Sequence, residues 1–147
     1  MTLRRRFAPT LARLNANVSQ LAMAAAERRA QHWTALSDAY RSGIYARELF
    51  AKELAAACLV LRDASWAADV FPFCSHGRLG MSIASEYEHA RTRRAVWVGG
   101  ADQSRGPIAT FQDRFGIGGE TESVLRDLEE ATLRRLVDWL HEETTRR

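Results

Sequence analysis

Five apolar residues, Leu11, Leu14, Val18, Leu21 and Ala25, recur at 3-4-3-4 spacing near the start of the chain. On a helix of 3.6 residues per turn, this spacing draws one narrow stripe along one face. A stripe that narrow suits a close helix–helix contact. Pro9 and Thr10 signal the helix start, with Thr10 as N-cap. The strict pattern ends at Arg28, and Trp33, Leu36 and Tyr40 continue it on a shifted face. Ser42-Gly43 predicts a break. A second helix is expected over residues 44–62, with Leu49, Phe50, Leu54, Ala57, Cys58 and Leu61 on its apolar face. Glu48 and Lys52 form an i,i+4 pair on its wet side. Residues 10–62 thus read as an antiparallel helical hairpin.

Beyond this hairpin the signal changes. Residues 63–73 are irregular, and Pro72 excludes a continuous helix there. Leu79, Met81, Ile83, Ser85 and Tyr87 alternate with small or polar residues, which is strand period, although residues 84–94 also include good helix formers. Residues 94–98 are rich in strand formers. A turn at 89–92 then pairs Glu88 with Arg93 and Ala84 with Trp97. Residues 107–111 return as a third strand. A last helix is expected over 121–143, burying Val124, Leu125, Leu128, Leu136, Val137 and Leu140. The predicted fold is one α+β domain: an N-terminal helical hairpin, a small antiparallel β-meander over 79–115, and a long C-terminal helix. A chain of 147 residues fits one domain.

Composition narrows the partners. The longest apolar run, residues 54–61, is eight long, and a membrane span needs about twenty. Two cysteines are too few for a disulfide scaffold, so a reducing, cytoplasmic setting is expected. Lys52 is the single lysine among 21 basic residues. Arginine suits phosphate and carboxylate forks, and GC-rich coding produces the same bias. Charge is uneven: residues 1–50 hold eight basic and three acidic groups, and residues 101–147 hold seven and ten. A basic front and an acidic back permit self-association, and the front alone can meet an anionic polymer.

Three motifs could carry chemistry. Cys74-Ser-His76 places a thiol two residues from an imidazole, but a thiolate nucleophile needs a base in reach and zinc needs three or four ligands. Only His89 lies near enough in sequence to be a third ligand. Glu86-Tyr-Glu-His89 is a single E-x-x-H, where a di-iron bundle needs two copies and two further glutamates. The glycine loop over 114–122 precedes the last predicted helix, but Glu120 and Glu122 would repel an anion there. None of these motifs is complete, so no catalytic, cofactor or metal residues are assigned.

The best functional lead is the front of the chain. Arg4, Arg5, Arg6 and Arg13, with Arg28 and Arg29, form a basic set that could bind phosphates, with Asn15, Asn17 and Gln20 beside them. The segment L11-A-R-L-N-A-N-V-S-Q-L-A22 resembles the L-x-R-x-N-x-N-x-x-Q-L-A helix of accessory proteins of plasmid-mobilisation relaxosomes. In that family the segment lies near a ribbon-helix-helix DNA-binding unit, for which the ten preceding residues leave no room. The resemblance covers twelve residues and implies mobile-element biology. The leading expectation is a non-enzymatic bacterial accessory protein that binds a protein partner, or a second copy of itself, through Leu11, Leu14, Val18 and Leu21. The alternative is nucleic-acid binding by the arginines, and the third is an enzyme built on Cys74 and His76.

Overall fold

The computed structural model describes residues 11–84, 93–100, 105–114 and 117–145, and among these the side chains of 11–19, 117–119 and 143–145 are left aside. Helix α1 spans Leu11–Arg41, α2 spans Ala51–Asp63, and a 3-10 turn covers Ser65–Ala67. Strands follow at Phe71–Ser75 (β1), Arg78–Ser82 (β2), Ala95–Gly99 (β3), Ile108–Arg114 (β4) and Ile117–Val124 (β5), and α3 closes the chain at Glu130–Thr145. The strands form one antiparallel sheet in chain order, so the fold is α+β as expected.

The helices and the inner face of the sheet share one core. Register places Leu79, Met81, Val96, Val98, Ala109 and Phe111 on that face. Against them pack Trp33 and Tyr40 of α1, Leu54, Cys58 and Leu61 of α2, and Leu133, Leu136, Val137 and Leu140 of α3. The first two helices run antiparallel: Arg29 bonds the carbonyl of Leu61, while Ser37 Oγ donates to the carbonyl of Ala55 at 2.8 Å. Asp127 precedes α3, and its Oδ1 accepts from Glu129 N–H at 3.0 Å and from Thr132 Oγ1 at 2.6 Å. The Thr132 bond first, then the Glu129 N–H, hold its carboxyl below the usual carboxylate range. On the outer face Ala84, Ala95 and Trp97 form a smaller cluster with Phe73. Trp97 Nε1 donates to Gln112 Oε1 at 2.8 Å, and Gln112 Nε2 donates to Glu120 at 2.8 Å.

Several expected boundaries are corrected. The second helix starts at Ala51, not residue 44, because Phe50 sits in the left-handed region at φ 61 and interrupts the helical path. Glu48 and Lys52 therefore do not share a helical face. The meander covers 71–124 instead of 79–115. Phe71–Ser75 is a strand despite Pro72, because it lies at the sheet edge, where a missing N–H is tolerated. His76 and Gly77, at φ 55 and φ 76, close a tight hairpin between Ser75 and Arg78. The strand register also differs, since Trp97 pairs with Gly80, not Ala84. The indole requires this, because a Cβ at residue 80 would lie 2.6 Å from its ring. The expected pairing of Glu88 with Arg93 lies outside the described residues. Residues 117–124 form β5 instead of opening the last helix, with Val124 paired to Ile108. That helix begins at Glu130. Among the described residues no helix is long and apolar enough to cross a membrane.

Candidate functional site

Helix α1 divides at Arg29. From there to Arg41 the buried residues are Arg29, Trp33, Ser37 and Tyr40, spaced to face one side. Arg29 is 7% exposed, and its guanidinium is spent on four main-chain carbonyls. Nε donates to Val70 at 2.7 Å, Nη1 to Arg62 at 3.2 Å, and Nη2 to Leu61 at 2.8 Å and Ala67 at 2.5 Å. Two of these carbonyls belong to the last turn of α2, where helical partners run out and a cation suits the helix dipole. Burial lowers the pKa of Arg29, and Asp69 and Asp63 oppose that effect. Trp33 Nε1 also donates to the Val70 carbonyl, at 3.2 Å. Arg29 therefore leaves the set of arginines available to nucleic acid, because its donors are committed inside the fold. Its spacing of four from Trp33 and eight from Ser37 was the available signal.

On the other side of Arg29 the helix projects. Gln20 to Met23 and Ala26 to Arg28 are exposed, and only Ala24 and Ala25 are half-covered. Leu21 is 71% exposed and Met23 67%. Residues 11–28 would extend ~27 Å at 1.5 Å per residue. Of the expected seam, Leu21 lies on this bare helix. Leu11, Leu14 and Val18 belong to its backbone, and their side chains, like that of Arg13, lie outside the described set. Arg28 is exposed. Arg4, Arg5 and Arg6 lie outside the described residues.

The Cys74 and His76 motif folds into the β1–β2 hairpin. Cys74 is exposed on the helix-facing side of β1, whereas His76 occupies the turn, where Ser75 Oγ lies 2.9 Å from its Nδ1. Tyr45, 5.4 Å from Tyr40 between ring centres, stands beside Cys74, and the hydrogen bond between them raises the phenol's pKa. Burial, then Cys74, raises the pKa of Tyr40, whose hydroxyl donates to the Gly77 carbonyl at 2.8 Å. Burial pushes the Cys58 thiol up to about 12. Among the described residues no three His, Cys, Asp or Glu side chains are grouped to hold a metal ion. The E-x-x-H at 86–89 lies outside the described residues. The glycine loop forms part of the edge strand β5, so it presents no helix N-terminus to a phosphate.

Comparison of the chain with protein-family models, curated proteins and solved structures gave no significant match.

Proposed function

We propose that the chain is a non-enzymatic interaction module that pairs, through the projecting half of α1, with a second copy of itself. The bare helix of residues 20–28 carries the reading. A lone helix of this length is marginal in water, and most helices gain stability by packing a face. Here Leu21, on that face, is exposed. With Leu11 at heptad position a, the a and d positions are Leu11, Leu14, Val18, Leu21 and Ala25, and the apolar seam ends before the next d position, Arg28. The flanking e and g positions are Asn15, Asn17, Ala22 and Ala24. These flanks carry no charge, so two identical seams meet without like-charge repulsion. Small flanking residues also allow close approach of the two helices. A two-fold pair uses the same patch on both copies, which such a self-complementary stripe supports. Two heptads make a short seam, so the expected pair is reversible.

Sedimentation equilibrium of the full chain tests this. The expected result is a dimer that dissociates on dilution and is lost in Leu21→Asp. A chain that remains monomeric at the highest concentration reached ends the self-pairing reading. Salt-sensitive retention on DNA by that monomer, weakened by replacing Arg4, Arg5 and Arg6, would instead support the nucleic-acid reading.

A further inference from the structure

At one end of the sheet, away from the projecting helix, lies a cleft of about 420 Å³. Its size falls in the range of roughly 300–1,000 Å³ common to small-molecule sites. The β1–β2 turn, the end of β3, the start of β4 and the turn before α2 converge on it. Arg78 and Arg105 both line it. The Arg78 guanidinium lies over the Trp97 ring, 5.3 Å from its centre. Its stem crosses Gly99, where a Cβ would come within 2.7 Å of Arg78 Cγ. Stacking restrains the guanidinium plane while leaving its N–H edges able to bond. Among the described residues, neither arginine has a carboxylate within ion-pair distance. Glu48 and Glu122 line the same cleft, and neither has a cationic partner among the described residues.

The backbone around this cleft is also unusual. Both non-glycine residues described with positive φ, Phe50 and His76, stand here. His76 lines the cleft, and the Phe50 ring presses on the cleft residue Gly100, where a Cβ would lie 2.5 Å from the ring. The His76 angle is the one its hairpin turn requires, whereas left-handed backbone at a bulky residue such as Phe50 persists only where its surroundings enforce it, and such positions gather at ligand sites.

We propose that this cleft binds a small organic phosphate. Arg78 and Arg105 take the phosphate, whose oxygens match the donor fork of a guanidinium. Ionised carboxylates only accept hydrogen bonds, so Glu48 and Glu122 take hydroxyl groups on the carbon skeleton. A bare anion would leave these two acids unused and facing its charge. A hydroxylated phosphate ester satisfies both halves of the lining.

Isothermal titration calorimetry on the full chain tests the proposal, with ribose 5-phosphate, inorganic phosphate and ribose as probes. Saturable one-to-one binding is expected for ribose 5-phosphate, and weaker binding for inorganic phosphate. Arg105→Gln, at an exposed position, should weaken ribose 5-phosphate about tenfold, as loss of a charge-assisted bond does, without changing the melting midpoint. Glu122→Gln should weaken ribose 5-phosphate but not inorganic phosphate. Absence of saturable binding by ribose 5-phosphate overturns the proposal. So does equal affinity for the ester and for inorganic phosphate, or unchanged affinity in both Arg78→Gln and Arg105→Gln.

Discussion

Two halves of one continuous helix behave as different objects. Residues 29–41 of α1 are held by Arg29, Trp33, Ser37 and Tyr40, each reaching a main-chain carbonyl of another element. Residues 20–28 show a bare surface with Leu21 and Met23 in solvent. Helical propensity does not explain the anchoring, since the projecting stretch, with four alanines in nine residues against three in thirteen, is the better helix former. The difference is in what the side chains can do. The anchored half carries large groups with a polar tip that can be buried and still bond. The projecting half carries purely apolar seam residues, which gain only by meeting another apolar surface.

The largest effect expected from this contrast is at Arg29. Arg29→Met takes a donor from four main-chain carbonyls, of which Val70 keeps Trp33 Nε1 and Ala67 keeps the Val70 N–H, and the loss at Leu61 and Arg62 should cost about 3–5 kcal/mol in a urea melt. A loss no greater than that of a surface substitution would erase the distinction between the halves. Gly77→Ala comes next, because it strains a left-handed residue and drives a Cβ to 2.6 Å from the Glu48 carboxylate. It should cost about 1–3 kcal/mol by the same measurement, and a null effect would show that neither the left-handed backbone nor the Glu48 contact constrains the turn.

A third expectation concerns alkaline pH. The folded Cys58 thiol titrates at about 12, above its ordinary 9.0. Its neutral form is favoured by the fold, so its contribution is complete below pH 9 and is lost as pH rises toward 12. Stability of the wild type should therefore fall more steeply over this window than that of Cys58→Ala. Parallel profiles would remove Cys58 as the cause. Least of all, Leu21→Asp should change the stability of the monomer by only about 0.5 kcal/mol or less, while abolishing the dimer. A large loss of monomer stability would place Leu21 inside the fold and refute its bare setting.

What could be read from sequence follows the same division. The helix at the front, the β3 segment and the apolar positions Leu136, Val137 and Leu140 of α3 were legible, because buried faces impose periodicity. The edge strands were not. β1 contains Pro72, and β5 presents Glu120, Thr121, Glu122 and Ser123 to solvent, so neither shows the alternation of a half-buried strand. In sequence His76 stands out only beside Cys74, and its role with Gly77 as a hairpin turn needs the two positive φ angles. Of the proposed seam, the spacing was plain in sequence, whereas the exposure of Leu21 was not. Arg28 and Arg29 are adjacent identical residues, one in solvent and one buried, and in sequence only the spacing of Arg29 from Trp33 and Ser37 separates them. The cleft was invisible because its lining is drawn from five separate segments.

The hydroxyl of Tyr40 on the carbonyl of Gly77 gives α1 the mechanics of a lever. Arg29 and Trp33 are its fulcrum. The long arm, residues 11–28, reaches ~27 Å outward, and the short arm, from Arg29 to Tyr40, measures ~17 Å at the same rise per residue. A rigid tilt at that fulcrum moves the outer tip about 1.6 times as far as the inner end. The inner end rests on the hairpin that carries His76 and Arg78, so a displacement of the tip would reach the wall of the cleft reduced by that same factor.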